Sequence, residues 1–520
     1  MRLPPVAGDL RDWRGLALRR RGHGQSLWRS LGHMKDLAPQ KAVRLSRRQI
    51  IRGLGAAAVF GLPGCNGAGD PSAGTVDPSA LPDATVIDGY TDQQSYRPGD
   101  RVIAYLNGSS KDASTNLDGD IPLSRLVLRD MVGRAVFVFA GTVFRQTAAG
   151  LTPWESGFGY QPSAVFTVPN LPSGVYRING VVPVIVKTTP TESAEIVIVV
   201  PTNTVAAYNT AGGKSMYVQP SVETVIAASP IVSFLRPVIP PRPVAPPTAP
   251  YFYNPFLQWL ATQRRPYSVR FIADIDMDDD SELYGAKLLM VIGHSEYWTR
   301  RARENFDAFV LRGGNALVLS GNTMCWQVRY SEDRTQLICY KYSETDPIAD
   351  SLLKTIQWYT PSLQYPVVPS IGADWAHGGY GIEYPDKGWK GYRILTRSEA
   401  IFRGADIAVG DVLALPTSEY DGAPIVNSPV TTGAPQLDYV ALDAYKAEII
   451  GYDYCLVGGF NRVATWVALQ RTPTSGVIIN CASTDWCSPN GVAGADGARV
   501  RLITRNMIEA LINRQSVFTT

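Results

Sequence analysis

A short segment at 293–297, Gly-His-Ser-Glu-Tyr, places a histidine, a serine, a glutamate and a tyrosine next to one another in the second part of the chain. A serine at the end of an apolar run suggests a nucleophile elbow, but that turn needs a small residue two positions later, where Tyr297 stands. A catalytic cysteine of the amidotransferase kind is also missing at this place. What remains is a carboxylate, Glu296, flanked by the imidazole of His294 and the phenol of Tyr297 at a predicted strand end.

The elements around this segment alternate between strand and helix. Apolar strands are predicted at 196–200, 268–273, 287–293, 315–320 and 476–481, and helices at 299–311 and 499–512. This alternation predicts a mostly parallel sheet with helices on both faces, a Rossmann-like or amidotransferase-like α/β domain over 199–516. Ligands bind at the carboxyl ends of such strands, which would bring 293–297 close to the segment 201–209.

The part of the chain before residue 199 has a different sequence pattern. Short alternating runs separated by turn clusters predict an Ig-like antiparallel β-sandwich over 85–198, so the predicted fold class is a β domain followed by an α/β domain. A flexible tether is predicted at 66–84, because the sequence there is mostly Gly, Ala, Ser, Asp and Pro. A proline-rich insertion at 237–250 should be an extended surface segment.

The first 65 residues resemble an export signal. The pair Arg47-Arg48 precedes an apolar stretch at 53–63, which is too short to span a bilayer, and Cys65 follows in a lipobox-like sequence. We expect twin-arginine export, lipid attachment at Cys65 and a location at the periplasmic face or in the cell envelope. Either Met1 or Met34 is compatible with the true start.

Composition excludes some partners. With 49 basic and 46 acidic residues, the chain has no field that would attract nucleic acid, and a membrane would be reached only through the lipid anchor. A small-molecule substrate is the expected partner, and a homo-oligomer stays open. Five cysteines remain after Cys65, without the spacing of a zinc site. Disulfides between Cys325 and Cys339, or between Cys481 and Cys487, are permitted but not determined by the sequence.

A series of motifs carries a more specific resemblance. In order, the motifs are Tyr208-Asn209, Gly212-Gly213-Lys214-Ser215-Met216-Tyr217, Ser233-Phe234-Leu235-Arg236-Pro237, Gly293-His294-Ser295-Glu296-Tyr297-Trp298, Ser320-Gly321-Asn322 and Ser483-Thr484-Asp485-Trp486. This series resembles the C-terminal domain of N,N-dimethylformamidase large subunits over about 171–514. The resemblance implies a mononuclear ferric ion held by two tyrosines and one glutamate, a donor set of hard oxygens that suits a hard cation.

Four residues take roles from this resemblance. Glu296 matches the carboxylate ligand, Tyr176 and Tyr208 match the tyrosine ligands, and His294 would assist proton transfer. Each also has a structural explanation. Tyr176 could pack at a strand corner, Tyr208 could cap a helix, Glu296 could cap the helix near 299, and His294 could be a core residue. Tyr217 and Tyr297 are competing phenols.

The resulting prediction is a metal-assisted hydrolase for a C–N bond of a small amide. The alternative is a non-catalytic binding or scaffold lipoprotein of the envelope that keeps the family fold. Export departs from the intracellular amidase, so the substrate does not follow from the resemblance. The acidic run at 274–282 lacks the glycine and glutamate of an EF-hand and is interpreted as a solvated turn.

Overall fold

The computed structural model describes residues 76–110, 122–189, 191–220, 225–238, 249–263, 267–381, 391–427, 433–457 and 460–519. The predicted signal at 1–65 with Cys65, the first part of the tether and most of the proline-rich segment lie outside these residues. Within them, no helix has the length and apolar character needed to cross a membrane.

The first part of the chain forms two small sheets around one shared core. Its strands are β1 (Ala84–Thr91), β2 (Ser95–Tyr96), β3 (Arg101–Ser110), β4 (Leu123–Arg129), β5 (Ala135–Thr142), β6 (Ala164–Thr167), β7 (Gly174–Ile178) and β8 (Val182–Val186). The sheet orders are β1-β3-β6 and β2-β8-β7-β4-β5. Every pairing is antiparallel except β2 with β8. Apolar side chains from both sheets meet in one buried cluster, which agrees with the alternation in the sequence.

The second part is organised by a nine-stranded mixed sheet. Its parallel half contains β9 (Ile196–Val200), β13 (Val269–Ala273), β14 (Leu288–Gly293), β16 (Asn315–Ser320) and β25 (Val477–Asn480), in the order β13-β9-β14-β16-β25. Its antiparallel half continues with β24 (Phe460–Gln470), β23 (Lys446–Val457), β20 (Tyr392–Ile394) and β21 (Val412–Leu413). The expectation of a mostly parallel sheet therefore holds for five strands and is wrong for four.

The parallel strands are almost continuously apolar because both of their faces are covered. Strands β9 and β14 are buried along their whole length. One face packs against α2 (Asn254–Thr262) and α4 (Gly497–Ile512), and the other packs against α3 (Arg300–Leu311). A further helix, α1 (Thr202–Tyr208), begins directly after β9. Helices on both faces agree with the sequence-based expectation. Four-residue helices also occur at Pro153–Ser156, Val368–Ile371, Glu399–Phe402 and Tyr439–Leu442.

Smaller sheets lie beside the carboxyl ends of the parallel strands. They contain β10 (Gln219–Pro220), β11 (Val225–Ile226), β12 (Ile231–Ser233), β15 (Tyr297–Thr299), β17 (Trp326–Tyr330), β18 (Gln336–Ile338), β19 (Asp374–Tyr380) and β22 (Glu419–Gly422). One of these sheets has the order β12-β18-β17-β15, and in another β19 pairs with β22. The cysteines 325, 339, 481 and 487 are buried free thiols, so neither disulfide left open by the sequence is present.

The two parts of the chain are joined through buried charges. Lys187 contacts Asp276 at 2.7 Å and Glu282 at 2.8 Å, Arg97 contacts Glu282 at 2.5 Å, and the Ser95 hydroxyl donates to Asp276. The interpretation of 274–282 as a solvated turn is therefore wrong for these carboxylates, since Glu282 is only 2% exposed. The predicted border between residues 198 and 199 lies inside β9, which pairs with β13 and β14.

Replacing Glu282 with glutamine should cost about 3 kcal/mol of unfolding free energy, because it leaves the buried charge of Lys187 and the nearby Arg270 with one carboxylate fewer. Urea unfolding followed by tryptophan fluorescence measures the change. The control is Glu195→Gln, whose exposed pair with Lys287 should contribute less than about 1 kcal/mol. Equal effects of both substitutions would contradict a stabilising role for the buried network.

Candidate functional site

A polar cluster lies where β14 and β9 end at their carboxyl edges. Gly293 closes β14 with φ of 75°, a left-handed conformation that glycine adopts without strain. A Cβ at this position would be 3.0 Å from the Tyr253 side chain, so space also favours glycine. The turn then directs His294 and Glu296 inward, where they are 3% and 2% exposed. The cluster lies at the strand ends to which the rule for parallel sheets pointed in the sequence analysis.

Glu296 is held by aromatic donors. Its Oε1 accepts a hydrogen bond from the Tyr217 hydroxyl at 2.6 Å and another from the Trp326 indole at 2.9 Å. Its backbone N–H donates to the Thr204 hydroxyl at the start of α1. Its side chain therefore does not cap α3, whose N-terminal cap is Thr299. Burial raises the pKa of Glu296, and His294 opposes that rise. A carboxylate fixed in this way is preorganised to present its second oxygen, Oε2.

Three phenols surround this carboxylate. The rings of Tyr208 and Tyr217 lie 4.4 Å apart, and the Tyr297 hydroxyl donates to the Tyr217 hydroxyl at 2.6 Å. Burial holds the pKa of each of the three phenols well above its usual value, and the nearby Glu296 raises each further. Without a cation the phenols therefore keep their protons, and a bound cation would have to displace them.

His294 lies between two carboxylates. Its Nε2 is 3.4 Å from Glu296 Oε2 and 3.3 Å from Glu419 Oε2. Its ring also contacts the rings of Tyr208 and Phe252, each with centroids 5.4 Å apart. Burial lowers the pKa of His294, but Glu419 and Glu296 outweigh burial, so the pKa is raised overall. The pKa of Glu419 is lowered, because His294 and Asn322 outweigh the effect of burial. The arrangement favours an imidazolium beside an ionised Glu419.

Glu419 reaches the site through a close approach of three backbone segments. The Thr484 N–H donates to the Glu419 carbonyl at 3.1 Å, and the Glu419 N–H donates back to the Thr484 hydroxyl. A Cβ on Gly321 would be 2.5 Å from Thr484 N and 2.7 Å from the Glu419 carbonyl, so only glycine fits there. The neighbouring Asn322 donates its side-chain amide to Glu419 Oε2 at 2.8 Å. The motifs at 320–322 and 483–486 therefore serve to position Glu419.

Buried polar atoms without a hydrogen-bond partner mark the centre of the cluster. Among the described residues, these atoms include Asn322 Oδ1, together with His294 Nε2 and Glu296 Oε2, which form an ion pair with each other at 3.4 Å but no hydrogen bond. Because unsatisfied buried polar atoms are costly, several of them in one place indicate a site for a polar ligand or an ion. The oxygens of Glu296, Tyr208 and Tyr217 are hard donors that fit a trivalent cation. In the described chain, no group of three or more His, Cys, Asp or Glu side chains is arranged to hold a metal, so such a centre would depend on phenols.

The structure brings together three of the four residues predicted from the sequence. His294, Glu296 and Tyr208 share one cluster. Tyr176 does not join them: it lies on β7 among the side chains of the first core, and its hydroxyl donates to the Pro172 carbonyl at 2.6 Å. This is the strand-corner packing that was its structural alternative. The phenol that occupies the corresponding place beside Glu296 is Tyr217.

Sequence reasoning missed Glu419 as a partner of His294 and gave Tyr217 too little weight. Glu419 lies on the short strand β22, whose sequence carries no motif. Tyr217 belongs to a glycine-rich segment already within the matching motif series, so the motif position was a usable signal. Arg236 fixes its loop by donating to the carbonyls of Ser233, Ala211, Lys214 and Ala206.

Comparison with known proteins agrees with the resemblance in the motifs. No curated protein matches the chain significantly. A family model, described as N,N-dimethylformamidase beta subunit-like, C-terminal, matches residues 142–489, which is more than half of the chain and includes every residue of the cluster. The chain therefore belongs to the N,N-dimethylformamidase beta subunit-like family.

Proposed function

We propose that this protein is a metal-assisted hydrolase that cleaves the C–N bond of a small amide. The observation that carries the proposal is the convergence of Glu296, His294 and the phenols of Tyr208, Tyr217 and Tyr297 at the carboxyl ends of β9 and β14. Family membership supports a related activity at the family level.

Tyr208, Tyr217 and Glu296 are the proposed ligands of a mononuclear ferric ion. When bound, such an ion supplies Lewis acidity, which activates water and polarises the amide carbonyl. The phenol of Tyr297 donates to Tyr217 and orients it, a supporting role for a residue next to the ligands. Trp326 does the same for Glu296, because its indole donates to Oε1 and leaves Oε2 available.

His294 and Asn322 are proposed to donate a proton to the substrate and to bind it, respectively. Amide hydrolysis adds water across the C–N bond, so the departing nitrogen must gain a proton while the carbonyl carbon gains an oxygen. His294, kept charged by Glu419, is placed to give that proton to the nitrogen. Asn322 is fixed by its hydrogen bond to Glu419, and its buried Oδ1 can accept a hydrogen bond from substrate or water.

Several finer expectations belong to the same proposal. The first part of the chain is proposed to be an Ig-like sandwich, and the second a Rossmann-like, amidotransferase-like domain. Twin-arginine export followed by lipid attachment at Cys65 is proposed from the motifs at the start of the chain. That route carries folded cargo, which fits a metal acquired before export. A small neutral or charged amide is the proposed partner, and nucleic acid is not.

Elemental analysis of protein purified from its export-competent host tests the proposal directly. We expect about one iron per chain and a visible absorption band from phenolate-to-iron charge transfer. Protein without stoichiometric metal and without such a band would contradict the proposal and would favour the binding or scaffold alternative. A different metal in equal stoichiometry would contradict the ferric assignment while leaving the amide hydrolase to be tested by turnover.

Substituting phenylalanine for tyrosine at positions 217 and 176 tests which of these two tyrosines is a metal ligand together with Tyr208 and Glu296. We expect Tyr217→Phe to lower metal content and to remove or shift the visible band, because this hydroxyl contacts Glu296. Tyr176→Phe should leave both unchanged and should cost only about 1 kcal/mol of stability for the lost hydrogen bond to Pro172. Metal analysis, absorption and thermal unfolding of both variants measure this. Loss of the band in Tyr176→Phe alone would restore Tyr176 as a ligand and exclude Tyr217.

A further inference from the structure

Lys341 lies in a cage of aromatic rings beside the proposed ligands. Its Nζ is 3.4 Å from the ring centroid of Tyr217, 4.9 Å from that of Trp326 and 5.6 Å from that of Tyr297. The residue is partly exposed, as are Tyr217 and Trp326, so the cage lies toward the accessible side of the buried Glu296. The electron-rich faces of the rings hold an ammonium group by cation–π attraction.

The aromatic rings hold the ammonium group of Lys341 in place without using its N–H donors. A cation–π contact engages the ammonium charge but needs none of the N–H donors. Among the described residues, no carboxylate lies within 4.0 Å of Lys341 Nζ, whereas other site cations such as His294 have carboxylates at that range. Burial lowers the pKa of Lys341, and the nearby Glu296 opposes that lowering. The Oε1 atom of Glu296 already accepts hydrogen bonds from Tyr217 and Trp326. The ammonium donors of Lys341 are therefore left for a ligand.

The backbone at Lys341 is also unusual. Its φ is 67°, in the left-handed region that side-chain-bearing residues rarely adopt. The N–H of Lys341 donates to the Thr355 carbonyl at 2.9 Å, and the preceding Tyr340 N–H donates to the Thr355 hydroxyl, so the strained conformation is fixed from outside the loop. Strain held in this way is typical of residues that must present a side chain in one direction.

We propose that Lys341 is a specificity-determining residue that binds an anionic group of the substrate, so that the preferred substrate is a small amide carrying a carboxylate. This inference rests on the proposed function and adds the substrate class. The reacting amide would lie at Glu296 and His294, and the carboxylate would accept hydrogen bonds from the ammonium group of Lys341. A charge-assisted contact of this kind favours the anionic substrate over a neutral one of equal size by about 10- to 100-fold.

Two matched pairs of probes test the inference: N-formylglycine against N-formylethanolamine, and succinamate against butyramide. Calorimetric binding to the metal-loaded protein is measured together with kcat/KM. We expect at least one anion to surpass its neutral partner by about 10-fold or more in the unmodified protein. Lys341→Met should abolish that advantage, and Lys341→Arg should keep most of it. Lys214→Met is the matched control, since Lys214 also lies on an aromatic ring, that of Trp154, at 4.6 Å.

The outcomes separate this inference from the function on which it rests. An anion advantage that survives in Lys341→Met, or neutral compounds that bind as well as anions, would overturn the role of Lys341 even if hydrolysis is observed. Anion binding that depends on Lys341 without turnover of any probe would support the anchor and contradict the hydrolase. Thermal unfolding of each variant shows that it is folded. If Lys341→Met does not fold, Lys341→Gln, which also removes the positive charge, takes its place in the comparison of neutral and anionic probes.

Discussion

Glu296→Gln is expected to remove bound metal and to lower amide hydrolysis by at least about 10³-fold. Glutamine has the same shape and can still accept hydrogen bonds from Tyr217 and Trp326, so the fold should persist. It lacks the negative charge that a cation requires, and its amide nitrogen can occupy the place of the unsatisfied Oε2. The loss should therefore be one of chemistry and not of stability. Metal content, visible absorption and kcat/KM of the variant provide the test.

Glu304→Gln is the control for this substitution, because Glu304 is an exposed residue of α3 away from the cluster. It should keep metal, absorption and turnover within about 2-fold, as exposed substitutions usually do. Full metal content and full activity in Glu296→Gln would exclude Glu296 as a ligand. Thermal unfolding of the two variants shows whether any loss comes from misfolding.

Glu419→Gln is expected to lower kcat by about 10²- to 10⁴-fold while metal content stays close to that of the unmodified protein. Glu419 contacts His294 and Asn322, not the proposed ligands, so its role is proton transfer. Burial alone would lower the pKa of His294, and the carboxylates reverse that. Removing the Glu419 charge should therefore lower the pKa of His294. If charged His294 donates the proton, the alkaline limb of the kcat profile moves to lower pH.

His294 and Glu419 also make the stability of the fold depend on pH, in directions that follow from their two pKa shifts. The raised pKa of His294 stabilises the fold fully below the unfolded histidine value, and this contribution is lost as pH rises through the folded value. The lowered pKa of Glu419 stabilises the fold above the unfolded glutamate value and is lost as pH falls through the folded value. The pair therefore contributes most to stability at pH values between the unfolded pKa of glutamate and the unfolded pKa of histidine. Rate profiles and urea unfolding across pH test both statements, and an unmoved alkaline limb in Glu419→Gln would exclude His294 as the titrating acid.

The elements that could be predicted from sequence are those with a strong local pattern. The apolar run that predicts a strand at 315–320 corresponds to β16 at Asn315–Ser320, and the helix predicted at 499–512 corresponds to α4 at Gly497–Ile512. A continuous apolar strand followed by a polar turn also locates the site, because ligands bind at the carboxyl ends of parallel strands. That rule pointed to the segments 201–209 and 293–297, whereas the roles predicted for His294, Glu296 and Tyr208 came from the resemblance in the motifs.

The rest depends on contacts between distant segments, which leave no local pattern. Glu419 takes part in the site because Gly321 lets the backbones of Glu419 and Thr484 approach, a property of no single segment. The antiparallel half of the sheet was missed because continuous burial, such as that of β24 over 463–469, does not reveal whether neighbouring strands run parallel or antiparallel. The choice of Tyr176 over Tyr217 followed a motif position without knowing that β7 packs in another core.

The charges shared by Lys187, Asp276 and Glu282 also bear on how this protein can change over generations. Because Lys187 of the first part pairs with carboxylates of the second part, and β9 pairs with both β13 and β14 in the large sheet, the halves are not interchangeable modules. A recombinant whose first half lacked a cation at position 187 would leave those carboxylates without that partner. Productive crossovers should therefore fall before residue 95 or after the nine-stranded sheet is complete, and the two halves should be inherited as a unit.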